Sequence, residues 1–161
     1  MAVQWPLFSK ILTFDYNLPA RAEDELVIGL VYQQKFRESL IVKNKALKVA
    51  SSLEEMGKYD FRCVEIDISD STDLEKIISR EGIDILYVAP LRAVQMKTIF
   101  SASRATQTMT LTGVPDYVES GLAVGIDMKG GKLQISINLP ASKAEGCHFS
   151  SRLLKLAKII R

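Results

Sequence analysis

The chain is poor in the residues from which catalytic and metal centres are built. Its 161 residues include one histidine, His148, two cysteines and one tryptophan. A triad or zinc site built on a single histidine needs a nucleophile or further ligands converging on it. The adjacent thiol of Cys147 is badly placed for that, because neighbouring residues seldom orient towards one another. Cys63 and Cys147 stand 84 positions apart with no Cys-x-x-Cys pair, which speaks against a structural zinc site. They read as two reduced thiols; a Cys63–Cys147 disulfide is the alternative, open only in an oxidising compartment. No apolar run reaches the roughly 18–20 residues that span a bilayer, so direct membrane insertion is not expected. Net charge is only +2, from 21 Lys+Arg against 19 Asp+Glu. That is too little to neutralise phosphates, and nucleic acid is not an expected partner. The opening Met1-Ala2-Val3-Gln4-Trp5-Pro6 has neither a basic n-region nor an apolar h-region. A cytoplasmic protein and the mature form of an exported one both fit that reading.

Phosphate-binding loops are also missing. The turn after the first predicted strand, Gln33-Gln34-Lys35, holds no glycine, where a dinucleotide fold needs close backbone approach. Gly130-Gly131 reads as a hairpin turn.

What is present is a globular composition, 47% hydrophobic and 25% charged, without linker, repeat or low-complexity segment. One domain over residues 1–161 is expected. The apolar period predicts a helix over 6–16, with Leu7, Ile11 and Phe14 at helical spacing and Phe8 and Leu12 beside them. A near-continuous apolar run over 25–33 predicts a strand buried on both faces. A helix follows from Phe36, with Leu40, Leu47, Ala50 and Leu53 on one side and Gly57 as its stop. Strand 61–68 and helix 74–80 come next, the helix capped from Ser71-Thr72-Asp73. Strand 83–89, helix 91–104 and strand 109–112 complete the alternation. Strands 122–128 and 132–139 then form a hairpin, the second at or near an edge. A short turn from Pro140 to Gly146 precedes a helix over 151–160, N-capped by Ser150. The expected fold is α/β, a three-layer-like mixed sheet of about six strands flanked by helices, closing with a β-hairpin and a helix.

In such a sheet ligands bind beyond the carboxyl ends of the strands. Those ends offer Gln33, Gln34, Ser69, Asp70, Ser71, Arg92, Thr112 and Tyr117. The set has hydrogen-bonding groups and one guanidinium but no nucleophile–base pair, and suits recognition of a small polar ligand better than catalysis. A receiver domain would carry carboxylates at the ends of strands one and three; Val31-Tyr32-Gln33 and Val88-Ala89-Pro90 carry none. Asp67, Asp70 and Asp73 read as loop solvation and helix capping. No metal and no cofactor is expected. Asn138 ends a strand just before a turn, where its amide can satisfy free backbone N–H groups.

The last forty residues carry a specific resemblance. Gly121-Leu-Ala-Val-Gly-Ile-Asp, Gly131-Lys-Leu-Gln-Ile-Ser-Ile-Asn138-Leu, Ala144-Glu-Gly and Ser150-Ser-Arg152-Leu-Leu-Lys-Leu-Ala157 together resemble the signature of the YfiR family. Phe8-Ser-Lys-Ile-Leu-Thr-Phe-Asp15-Tyr-Asn17-Leu resembles the opening helix of one branch. The resemblance implies a periplasmic, non-catalytic α/β protein, able to form a homodimer. It also implies binding to the periplasmic region of a membrane sensor, typically a diguanylate cyclase (YfiN), which is thereby held inactive. Some members are controlled through paired disulfides; two cysteines cannot supply a pair. Gln33, Ser69, Arg92, Tyr117, Asn138 and Arg152 form the candidate partner- or ligand-binding set. A small-ligand sensor is the first alternative function, and an enzyme of unrecognised type the second.

Overall fold

A computed structural model describes residues 4–69 and 71–161; Met1 to Val3 and Asp70 lie outside it. The element order is α1 (Gln4–Leu12), α2 (Leu18–Arg21), β1 (Glu25–Tyr32), α3 (Arg37–Ser51), β2 (Asp60–Asp67), α4 (Leu74–Glu81), β3 (Ile85–Val88) and α5 (Met96–Thr106). It continues with β4 (Met109–Thr112), α6 (Pro115–Ser120), β5 (Val124–Lys129), β6 (Lys132–Asn138), α7 (Leu139–Ala144), α8 (Ser151–Leu156) and β7 (Lys158–Ile160). The strands form one sheet in the order β2-β1-β3-β4-β5-β6-β7. All neighbours are parallel except the β5–β6 hairpin.

The period-two alternation of β1 divides the core. Leu26, Ile28 and Leu30 face a first layer that includes Phe8, Ile11, Ala46 and Leu153 from α1, α3 and α8. Val27 and Val31 face the second, with Leu74 and Ile78 of α4 and Ile99 of α5. Gly29 sits between them, and a Cβ there would lie 2.9 Å from Leu86 Cδ2, so the absent side chain lets the second layer close on the strand. Trp5 and Phe8 bring α1 onto Tyr87, with ring centroids 5.4 and 5.9 Å apart.

Four expectations are corrected. The sheet has seven strands: residues 158–160 leave the terminal helix after Leu156 and pair with Ser136 to Asn138, because the chain must lay Ile159 on the first core layer. β7 forms the edge, with β6 beside it, near the edge as expected. On α1 Phe8, Ile11 and Leu12 are buried as expected, joined by Trp5, while Leu7 and Phe14 are only partly buried and the helix ends at Leu12. On α3 it is Ser39, Lys43, Ala46 and Ala50, because Lys43 spans to Glu65 (2.6 Å) and lies over the Tyr32 ring. That helix stops at Ser51; Gly57 occupies a separate left-handed turn. Finally, helix 91–104 is shortened to start at Met96, and α2 and α6 are additional short helices, each with proline in its first turn.

Candidate functional site

The sheet order reverses between β1 and β3, and both strands end at the same edge. Gln33 follows β1 directly. Its amide makes a two-way clasp to the Arg92 backbone: Nε2 donates to Arg92 O (2.7 Å) and Oε1 accepts from Arg92 N (2.5 Å). The Arg92 guanidinium lies over the Phe36 ring, 4.8 Å from its centroid. Tyr117 Oη accepts from Leu91 N (2.9 Å) and donates to Leu91 O (3.3 Å). Thr112 Oγ1 donates to Val88 O (2.9 Å) and accepts from Val114 N (3.1 Å). Ser69 Oγ is bonded among Ser71 and Thr72 in the β2–α4 loop. Gln34 N reaches Asp67 Oδ1, and Asp73 caps α4 through Lys76 N. Gln33, Arg92 and Tyr117 thus meet at one loop, where the side chains of Gln33 and Tyr117 hold the backbone of Arg92 and Leu91 in place.

Asn138 and Arg152 lie elsewhere. Asn138 is buried between α6 and α7, its Oδ1 accepting from Ala141 N (3.1 Å) and its Nδ2 donating to Val118 O (2.8 Å). Arg152 is exposed on α8. Both cysteines are free thiols. Burial, with help from Glu65, pushes Cys63 up to about 11, and burial also raises Cys147. His148 is exposed, its ring edge-on to Tyr16 at 5.2 Å. Among the described residues, no three His, Cys, Asp or Glu side chains converge as metal ligands, and no helix is long and apolar enough to cross a membrane.

Two features lie outside the candidate binding set. The first is a buried polar junction. Asp15 accepts from Arg21 Nη2 (2.5 Å), His148 N (2.9 Å) and Asn17 N (3.0 Å). Arg21 Nη1 also reaches Gln107 O and Glu145 O. The Glu145 carboxyl, fully buried, meets Ser103 and Thr110. Asp15, Asn17 and Glu145 all fall inside the motifs quoted for the resemblance, which was the available signal.

The second is an apolar row that runs out of the core. On one face of the hairpin Val124 pairs with Ile137, Ile126 with Ile135 and Met128 with Leu133. Val124, Ile126 and Ile137 are buried, but Met128 is 58% and Leu133 38% exposed. Leu156 at the end of α8 is 73% exposed and shares a groove with Leu133, Lys129 and Lys132. An apolar patch rimmed by lysines therefore extends the first core layer into solvent.

A family model described as YfiR/HmsC-like matches residues 6–158. The chain belongs to the YfiR/HmsC-like family. YfiR/HmsC-like proteins are periplasmic regulators in diguanylate cyclase signalling and form a non-catalytic family. No curated protein matches the chain. Among solved structures it is similar to a conserved domain protein of Vibrio cholerae, at 16% identity and TM-score 0.69, covering 99% of this chain and 60% of that one. It is also similar to an ABC domain from Streptococcus pneumonia in complex with L-Trp (12% identity, TM-score 0.65, 95% and 61% covered). A third is CD0873, a substrate binding protein from Clostridium difficile with adhesive properties, in its ligand-free open form (20% identity, TM-score 0.66, 90% and 57% covered). The chain spans about three fifths of the length of these structures, and the likeness is one of fold.

Proposed function

We propose that this YfiR/HmsC-like chain is a non-catalytic periplasmic regulator. In this reading it docks on the periplasmic region of a membrane signalling protein, such as a diguanylate cyclase, and holds it inactive. The observation that carries the reading is the patch of Met128, Leu133 and Leu156, an unfinished continuation of the core with lysines on its rim. Apolar centres with polar rims are the usual anatomy of a docking surface. The side chains of Gln33 and Tyr117 are engaged with backbone, which leaves them little to offer a reacting group. Co-purification with the periplasmic segment of the membrane sensor tests the reading. Met128→Lys with Leu133→Glu, a pair of opposite charge across the hairpin, should abolish capture while changing the thermal midpoint little. Undiminished capture by this variant refutes the patch, and no capture by the parent chain refutes the function. A homodimer through the same patch would appear as a concentration-dependent mass in sedimentation, lost in that variant.

A second reading, a small-ligand sensor, is favoured by a cavity of about 470 Å³ lined by Leu139, Cys147, Phe149 and Leu154, with Lys143 and His148 also in its lining. Its size and mainly apolar lining suit a small molecule. A thermal-shift screen decides it: a ligand at 100 times its Kd should stabilise the chain by about 2.7 kcal/mol.

A further inference from the structure

Glu145 closes α7, and its carboxyl is wholly shielded from water. Its oxygens have three neighbours. Thr110 N donates to Oε1 (2.8 Å). Thr110 Oγ1 accepts from Ala123 N (2.8 Å) and has its single proton for the carboxyl, at 3.1 Å from Oε1 and 2.9 Å from Oε2. Ser103 Oγ lies 2.9 Å from Oε2 and 3.0 Å from Phe100 O. A hydroxyl carries one proton, so Ser103 cannot donate to both. With Glu145 ionised, either Phe100 O or the carboxylate loses its Ser103 bond. With Glu145 neutral, Oε2–H donates to Ser103 Oγ, Ser103 donates to Phe100 O and the one Thr110 hydroxyl proton goes to Oε1, so both Ser103 contacts are kept. The network thus accommodates the acid form, while the same donors can also serve a carboxylate, and exclusion of water decides between the two.

Charges around the group do not reverse that. On α5, Arg104 attracts the carboxylate, but its guanidinium is spread over the Phe100 ring (4.7 Å) and also reaches Gly121 O (3.4 Å). From the N-terminal segment, Arg21 is bound to Asp15 and meets Glu145 only at its backbone oxygen. Cys147 follows two residues on, facing both Asp15 and Glu145. From β4 comes only the neutral Thr110. Burial outweighs the hydrogen bonds and Arg104 and lifts the carboxyl to about 7.

The junction is where the C-terminal unit is tied down. Cys147 N bonds Ser142 O, His148 N bonds Asp15, Tyr16 N bonds His148 O and Ser150 N bonds Phe14 O. α8 and β7 follow directly. We infer that Glu145 is a proton-operated latch: protonated, it fixes the 145–148 turn to α5 and β4, and ionised, it loosens that turn together with α8 and β7. Leu156 of the docking patch rides on α8, so partner affinity should fall as the latch opens; this last consequence rests on the proposed function, whereas the latch does not.

The test uses the full chain with carbon-13 in its Glu carboxyls, and the Glu145→Gln variant, whose amide copies the neutral acid. One carboxyl should titrate about two pH units above the others, and its signal should vanish in the variant. Amide protection factors of Cys147 and Leu153 should fall about tenfold between pH 6 and pH 8 in the parent chain and stay level in Glu145→Gln. A Glu145 that titrates with the other carboxyls overturns the proposal, as do protection profiles that coincide in the two proteins. Should both signatures appear while the membrane sensor is captured at neither pH, the docking reading fails and the latch stands.

Discussion

Replacing Asn138 separates two jobs held by one side chain. Its Oδ1 caps α7 through Ala141 N, and its Nδ2 donates to Val118 O across to α6. The residue is buried, so water cannot take over either role. Asn138→Ala removes the cap, worth about 1 kcal/mol. It also leaves Val118 O with only the shared Gly121 N–H at 3.2 Å, a loss of roughly 1–2 kcal/mol. A total of about 2–3 kcal/mol should lower the thermal midpoint by about 5–10 °C for a chain of this length. Asn138→Asp keeps the capping oxygen but turns the donor into a second acceptor facing Val118 O. At pH 7 it should be at least as destabilised as the alanine variant. Protonation restores a donor, so the native state raises this Asp above its unfolded value, and its stability should recover as pH falls. Chemical unfolding of both variants near pH 5 and pH 7.5 is the assay. An alanine variant within about 0.5 kcal/mol of the parent, or an aspartate variant as stable as the parent at pH 7, refutes the reasoning.

Other consequences are more direct. Burial holds Glu145 at about 7 against its ordinary 4.5; the unfolded chain therefore binds fewer protons between those values. Stability should decline as pH rises through that window, by up to about 3 kcal/mol, with the slope absent in Glu145→Gln when both are unfolded in urea. Gly125→Ala places a Cβ 2.5 Å from Val118 Cγ2, and should cost about 1–3 kcal/mol, regained in part by Val118→Ala in a double-mutant cycle. Tyr117→Phe deletes the clip on Leu91 and should cost about 1 kcal/mol while speeding exchange of the Leu91 amide. Cys63 and Cys147 should resist a thiol reagent at neutral pH and both react on unfolding, since burial raises both thiols; a count below two free thiols after unfolding would reveal a disulfide.

Much of the fold was legible because the strands are strongly apolar and the helices between them are punctuated. Residues 109–112 carry β4 as predicted, and the Gly130-Gly131 turn joins β5 and β6. Ser150, Asp73 and Asn138 cap the helices that follow them. The misses share a cause. Lys43 is buried by a partner on another strand, and residues 158–160 turn from helix to strand because β6 offers them a free edge. Neither fact has a local signature. The candidate site was legible in part. Gln33, Arg92 and Tyr117 do gather at the carboxyl end of the sheet, but their bonding to backbone depends on atoms up to 59 positions apart in the chain.

Local patterning decided by itself that this chain would alternate strands and helices and carry a hairpin in its last quarter. Periodicity and caps act within a few residues, so one dimension records them. Which apolar residues stay outside, and which carboxyl loses its water, is decided by what the rest of the chain covers. Met128 and Ile126 read alike in sequence, yet only Ile126 is buried. Glu145 reads as a helix-end acid, yet α5 and β4 close over it. Solvent exclusion belongs to the assembled layers, and with it the patch and the protonation of Glu145.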